Sequence, residues 1–284
     1  MDGPFLGSEA LAAGSVTRHA LRTRFVAIHK DVYVLKGTRP TALDRAKACW
    51  LRTRGHGVLA GFSAAAVHGA KWIDPALPAT VIDDNRRRTP GVVVWAAVLA
   101  EDEICTVDGM RVTTPARTAI DLARRYPLDT AVAAVDALAR ATRLTVAAIE
   151  EAAIRYPGRH GMRRVREVLD LADPGAESPR ETWLRLVVVR AGYPAPRTQV
   201  PVHNEYGALI GTVDLGWREH KIALEYEGLH HRVSRRQFDR DIRRYDEMIE
   251  LGWIIIRVTA ADTDETVRLR LAEAWRKRGC PISS

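Results

Sequence analysis

Three carboxylates fall close together in the last third of the chain. Asp214 sits in the apolar run Val213-Asp214-Leu215-Gly216-Trp217, and Glu225 and Glu227 follow in Ile222-Ala223-Leu224-Glu225-Tyr226-Glu227-Gly228. Both runs read as strands. Residues two apart on a strand point the same way, about 6.6 Å apart along it, so Glu225 and Glu227 share a face. Pairing of the two strands would bring Asp214 beside them. Carboxylates gathered in a low dielectric repel each other. A divalent cation among them relieves that repulsion, and oxygen-only ligands suit Mg2+ or Mn2+. The same residues also fit a plainer arrangement, an amphipathic edge strand whose glutamates face water and whose Asp214 serves a turn or cap.

Positioning such a cluster requires a sheet and its flanking helices, and residues 177–284 contain the signals for them. Ser178-Pro179-Arg180-Glu181 opens a helix through its cap and first-turn proline. Glu181 in that first turn favours the helix dipole. Strands are expected at 198–202, 208–217, 221–227 and 252–258, with later helices at 235–251 and 264–278. On the 235–251 helix Phe238, Ile242, Tyr245 and Ile249 form an apolar face, and Asp241 and Arg244 stand at i, i+3. Such pairs are ordinarily surface salt bridges worth little.

The succession of an acid, Glu-x-Glu-Gly-x-x-His, a helix with Asp241 and Arg244, and Gly252-Trp253-Ile254-Ile255-Ile256-Arg257 resembles the very-short-patch-repair-like branch of the PD-(D/E)XK nucleases over residues 177–277. The resemblance implies a metal-dependent DNA endonuclease or nickase that hydrolyses phosphodiester bonds. Asp214 and Glu225 would hold Mg2+ or Mn2+, and Glu227, His231 and Glu181 would complete the catalytic set. Asp241 and Arg244 would brace it from behind. Most PD-(D/E)XK enzymes carry Lys where this chain has Glu227, whereas the very-short-patch-like branch has an acid there and a His soon after, matched here by His231. Its imidazole would activate water or protonate the leaving oxygen. His230 alternates away from it in an extended chain, and Lys221 stands at the wrong strand end to replace the lysine.

The N-terminal residues carry a different signature. Ser8 is expected to cap a short helix through Ala13, Gly14 breaks it, and Ser15 starts a second helix bearing Arg18, Arg22 and Arg24. Residues 25–29 and 32–35 flank Lys30-Asp31 as a hairpin. Two short helices and a hairpin suit a winged helix-turn-helix, and equally a small capping subdomain that touches no DNA. Further on, helices are expected at 41–54 and 60–68. Strands at 79–83 and 91–95 bracket the basic turn Asn85-Arg86-Arg87-Arg88, which is either a solvated turn or a phosphate contact. A strand at 110–113 leads into a helix opened by Thr114-Pro115, and helices continue through 129–140, 145–154 and 161–171. Arg117 and Asp121 read as a structural i, i+4 ion pair, and His68 as a satisfied core histidine.

The HKDVYVL wing resembles the N-terminal module of AbiEi-type antitoxins. Ser63-Ala64-Ala65, His68-Gly69, and Thr114, Arg117, Thr118, Asp121 and Leu122 resemble the AbiEi middle domain. Nucleic-acid contacts are then expected from Arg18, Arg22, Arg24, Arg86, Arg87 and Arg88. A type IV toxin–antitoxin or phage-defence setting follows from the resemblance, with double-stranded DNA as partner and a cognate toxin or second copy as others.

The totals agree with a nucleic-acid partner. Formal net charge is +8 at pH 7, sequence pI is about 9.7, and six of the 43 basic residues are lysine. Residues 177–284 hold 18 Lys/Arg against 16 Asp/Glu, so most of the positive surplus lies upstream of the acids. Three scattered cysteines, no CxxC and no finger-spaced His argue against a zinc finger or disulfide framework and for a reducing cytoplasm. No apolar run reaches membrane-spanning length, and residues 1–5 lack a signal-peptide pattern. The expected fold class is α/β (α+β). A restriction-endonuclease-like mixed sheet at 177–284 would follow a winged-helix-like module at 1–37, a mixed middle domain at 38–172 and a linker at 173–176. Beside the endonuclease, two readings stay open: a non-enzymatic DNA-binding regulator with an inert nuclease fold, and an RNA-directed nuclease.

Overall fold

Hydroxyl side chains start most helices of this chain. Thr17, Thr41, Thr114, Thr145, Ser178 and Thr263 each accept a hydrogen bond from the backbone N–H three residues on. At Thr41 the box is reciprocal, with Asp44 reaching back to the Thr41 amide at 2.9 Å. The computed structural model describes residues 3–228 and 235–280, and only the backbone of residues 235–241. The chain is α+β and forms two units, Met1–Pro174 and Gly175–Ser284.

The first unit opens with β1 (Phe5–Leu6), α1 (Gly7–Ala12), α2 (Arg18–Arg24), β2 (Phe25–His29) and β3 (Val32–Leu35). The hairpin is present, and β1 adds a third strand in the order β1-β3-β2. Two expected helix starts are displaced, because each serine is engaged elsewhere. Ser8 donates to Asp31 (Oγ–Oδ2 2.6 Å), so α1 starts at Gly7 without a side-chain cap. Ser15 donates to the Ala10 carbonyl, and Thr17 caps α2 instead.

Then follow α3 (Ala42–Arg52), β4 (Val58–Leu59), α4 (Gly61–Val67), β5 (Ala79–Ile82), β6 (Val92–Trp95), a 3-10 turn at Glu101–Glu103, β7 (Ile104–Val107), β8 (Met110–Thr113), α5 (Pro115–Arg125), α6 (Leu128–Thr142), α7 (Val146–Ala153) and α8 (Met162–Leu171). The sheet order is β6-β5-β4-β8-β7. Strands β5 and β6 run parallel, so Asn85–Arg88 lies on a crossover loop and not in a hairpin turn. Residues 1–37 and 38–172 form one unit, and α3 explains it. Ala48 and Leu51 on that helix pack with Leu6 and Val32, while Ala46 and Cys49 join Leu59, Val81 and Val112.

The second unit comprises α9 (Pro179–Arg190), β9 (Arg197–His203), β10 (Leu209–Trp217), β11 (Ile222–Glu227), α10 (Arg235–Glu250), β12 (Ile254–Thr259) and α11 (Asp264–Lys277). Its sheet order is β12-β11-β10-β9, antiparallel except for the parallel pair β11/β12, which α10 connects. The two faces of the sheet are covered differently. Ile222 and Leu224 pack with Leu184, Val188, Leu271 and Trp275 of α9 and α11. Ala223 packs with Val200, Val213, Met248 and Trp253 on the α10 side. By the two-residue period of a strand, Glu225 and Glu227 belong to the α10 side.

Candidate functional site

The antiparallel register of β10 and β11 runs Trp217↔Ile222, Gly216↔Ala223 and Leu215↔Leu224. The next step puts Asp214 opposite Glu225. There the Asp214 side chain enters the sheet, and its Oδ2 accepts the Tyr226 N–H at 2.7 Å. The alternation of β10 also slips at this residue, since Val213 belongs to the α10-side core and Leu215 to the opposite one. Gln199, between the pairs Val200↔Val213 and Thr198↔Leu215, adopts φ 49°, a region costly for a residue with a Cβ.

Glu225 is 5% exposed. Its Oε2 accepts from Arg244 Nη2 at 3.2 Å and from the Tyr245 hydroxyl, while Oε1 is buried with no hydrogen-bond partner among the described residues. Arg244 also donates Nη1 to the Thr212 carbonyl at 3.3 Å. Gly211 makes room for it: a Cβ there would fall 2.7 Å from Arg244 Cδ. Glu227 is drawn to Arg257, and the Tyr245 hydroxyl lies 3.4 Å from its Oε1.

Glu181, 7% exposed, turns towards the same acids. It accepts from Ser178 Oγ (2.9 Å), the Glu177 amide (2.8 Å) and Gln199 Nε2 (3.2 Å). Burial raises its pKa, and the charge of Asp214 raises it further. Burial likewise pushes Asp214 up to about 6, with Glu225 and Glu177 adding to the rise against the Tyr226 amide and Arg244. Glu225 is raised by burial, opposed by Tyr245 and Arg244. Buried, mutually repelling acids of this kind mark functional sites.

The sheet therefore brings together Asp214, Glu225 and, through its field, Glu181. Glu227, for which the resemblance implies a catalytic role, is paired with Arg257. Arg257 on the neighbouring parallel strand supplies a closer counter-charge, and among the described residues no three His, Cys, Asp or Glu stand in a metal-holding arrangement. His230, His231 and the side chain of Asp241 lie outside the described residues. Lys221 donates to the Leu251 carbonyl at the turn end of β11, remote from the acids along the strand. Sequence reasoning missed Tyr245, Arg257 and Gln199 as members of the site. Arg257 could have been found by aligning the two strands as parallel neighbours, which sets it opposite Glu225.

In the first unit Arg18, Arg22 and Arg24 are exposed on α2, with Lys36 donating to the Arg22 carbonyl. Arg86, Arg87 and Arg88 are exposed on the crossover loop, whose Arg87 carbonyl and Thr89 hydroxyl are held by Arg52. Arg117 is buried between Glu103 (2.9 Å) and Asp121 (2.8 Å) and also donates to the Tyr156 hydroxyl. His68 Nε2 lies 2.8 Å from the Thr113 carbonyl, and burial lowers its pKa.

Residues 57–171 match the AbiEi antitoxin C-terminal domain family. The match starts after the HKDVYVL wing and stops before α9. The chain is 31% identical over 229 residues to two proteins of Mycobacterium tuberculosis, uncharacterized protein Rv2248 of strain ATCC 25618 / H37Rv and uncharacterized protein MT2308 of strain CDC 1551 / Oshkosh. The alignment covers 81% of this chain and 84% of each relative. The chain belongs to the family these mycobacterial proteins represent, and it carries an AbiEi antitoxin-type segment within it. No solved structure matches it. Among the described residues, no helix is long and apolar enough to cross a membrane.

Proposed function

We propose that the second unit hydrolyses phosphodiester bonds of double-stranded DNA with a divalent cation, Mg2+ or Mn2+, held by Asp214 and Glu225. One observation carries this reading: Asp214 stands one step beyond the Leu215–Leu224 pair, beside Glu225, and among the described residues Glu225 Oε1 is buried without a donor. A buried carboxylate oxygen with no partner is costly, and an oxygen-preferring cation is the partner it fits. Two protein carboxylates, with water completing the shell, make an ordinary donor set for Mg2+. When bound, the cation would polarise the phosphate and acidify a water. Glu181 adds negative charge beside Asp214 and is oriented by Ser178, Gln199 and the Glu177 amide. Tyr245 and Arg244 fix the Glu225 carboxylate. His231 is the candidate base on sequence resemblance, and Glu227, paired to Arg257, serves the site through that partner.

The first unit would supply the grip on DNA through exposed Arg18, Arg22 and Arg24, and through Arg86, Arg87 and Arg88. An AbiEi-type segment supports a bacterial defence or toxin–antitoxin setting, with a cognate toxin as protein partner. Purified full-length protein with Mg2+ or Mn2+ on supercoiled plasmid tests the hydrolase reading. Nicked or linear product from the wild type, lost in Asp214→Ala and Glu225→Ala, supports it. A second reading has its own observation. The antitoxin-type match, together with carboxylates already paired to Arg244, Tyr245 and Arg257, favours a DNA-binding regulator with an inert nuclease fold. DNA binding without cleavage under any divalent cation would establish it. In either case Arg18→Ala with Arg22→Ala should lower the slope of log affinity against log salt by about 2.

A further inference from the structure

Among the described residues, the α10 side of the sheet holds two cations beside its acids, and both are placed by specific features of the fold. Arg257 occupies the position across the parallel ladder from Glu225 and pairs with Glu227. Arg244 reaches Glu225 from the helix, its stem lying over the bare backbone of Gly211. Both guanidinium carbons lie 4.8 Å from the centroid of the Tyr245 ring, so one aromatic side chain gathers both cations beside both glutamates. The pairing is incomplete on each side. Among the described residues, Arg244 Nε is buried without an acceptor, and Glu225 Oε1 is buried without a donor. A purely structural ion pair in such surroundings is stable only when its polar atoms are satisfied. This cluster has one unmatched positive donor and one unmatched negative acceptor, which suits a further cation and a further anion arriving together.

Resting on the hydrolase reading, we propose that Arg244 and Arg257 are exchangeable counter-ions: they neutralise Glu225 and Glu227 in the unloaded site and turn to the non-bridging oxygens of the DNA phosphodiester once a divalent cation takes up Glu225. The charge argument is direct. A divalent cation at Glu225 repels the two guanidinium groups and takes the acceptor of Arg244, while Arg257 exchanges Glu227 for the phosphate. An incoming phosphodiester is repelled by Asp214, Glu181 and Glu227 unless cations face it. Arginine suits that task, since its planar fork matches phosphate oxygens and keeps its charge at any working pH. Both arginines would then supply positive charge where Glu227 leaves the carboxylate strand without any.

Arg257 provides the test, because its side chain is 54% exposed and its replacement leaves the core intact. Mn2+ binding to full-length protein is measured by calorimetry, and binding of a short DNA duplex is measured with and without Mn2+. In the wild type Mn2+ should strengthen duplex binding, by reciprocal linkage between the two ligands. Arg257→Gln should bind Mn2+ alone more tightly, having lost a competing cation. It should also lose about tenfold of the Mn2+-dependent gain in duplex affinity, and Arg257→Lys should recover part of that gain. A merely structural arginine would leave the Mn2+-dependent gain in duplex affinity unchanged, so a wild-type gain in Arg257→Gln overturns the proposal, as does weakened Mn2+ binding. Wild-type protein that neither binds Mn2+ nor cleaves plasmid removes the hydrolase reading and this proposal together. Cleavage by the wild type with unaltered Arg257→Gln binding removes this proposal alone.

Discussion

Asp214 lies opposite Glu225 one step beyond the Leu215–Leu224 pair, and its carboxylate oxygen receives the Tyr226 amide at 2.7 Å. A sheet hydrogen bond is thus made by an acidic side chain, in surroundings that disfavour its charge. Asp214 titrates at about 6 in the fold, through burial first and through Glu225 and Glu177 next, against 3.8 ordinarily. Between these values the folded protein binds the proton and the unfolded chain does not. The stability contributed by Asp214 is therefore fully present below pH 3.8, falls as pH rises towards 6, and is lost above it. A shift of about two units corresponds to at most about 3 kcal/mol, less for the solvent-reached part of the side chain. Asp214→Asn cannot ionise and keeps an acceptor for Tyr226. In divalent-free buffer its melting temperature should gain on the wild type by several degrees between pH 4.5 and pH 7.5. A difference between the two proteins that is flat with pH would refute the raised titration.

Gln199 offers a second measurement because its backbone conflicts with its residue type. At φ 49° a Cβ is strained by about 1–2 kcal/mol, whereas glycine ordinarily loses about 0.5–1 kcal/mol to alanine within a strand. The usual order should reverse here, with Gln199→Gly unfolding at higher denaturant than Gln199→Ala. Both remove the amide that reaches Glu181 at 3.2 Å, so both should lower plasmid cleavage alike. Higher stability with lower activity in the glycine variant would separate a positioning role from a structural one.

How much of this was legible in the sequence depends on the kind of signal. The C-terminal strands and helices were, because Ser178-Pro179 and Thr263 cap their helices and runs such as Ile254–Thr259 are β-branched. The pairs Phe5–Leu6 and Val58–Leu59 are too short to show any period, and Ile104–Val107 was overlooked beside them. Strand direction leaves no mark on periodicity, so the parallel pairing of β5 and β6 could not be read from residues 79–95. At the site, the acids announced themselves as charges in apolar runs. Tyr245 read only as part of an apolar helix face, and the part played by Arg257 depends on a partner strand some 30 residues away. The left-handed backbone of Gln199 lies between the Val200–Val213 and Thr198–Leu215 pairs, and no local pattern encodes it.

Arg117 should prove indispensable to the first unit. It is 3% exposed and neutralises Glu103 and Asp121, the latter fully buried. Removing one partner of a buried ion pair costs about 3–5 kcal/mol, since the remaining charges keep their desolvation. Arg117→Ala should lower the unfolding free energy of the first unit by that amount, read as a lower denaturation midpoint. Arg117→Lys should recover little of it, because a lysine cannot bond Glu103 and Asp121 through separate nitrogens. Wild-type stability in Arg117→Ala would refute this role for the buried ion pairs.

Gly211 and Arg244 form the last test, as a double-mutant cycle. A methyl group at 211 would fall 2.7 Å from Arg244 Cδ and 3.1 Å from Met248 Cε. Overpacking of this kind costs about 1–3 kcal/mol when the neighbour cannot move, and Arg244 is held at Thr212 and Glu225. Gly211→Ala should therefore destabilise the second unit and displace the guanidinium from Glu225. Arg244→Ala alone should also destabilise it, by leaving Glu225 with Tyr245 as its remaining donor. In the double variant the methyl group occupies space the arginine stem has vacated, so the combined loss should fall short of the sum by about 1 kcal/mol or more. Strict additivity would mean that Arg244 does not depend on the missing side chain at 211.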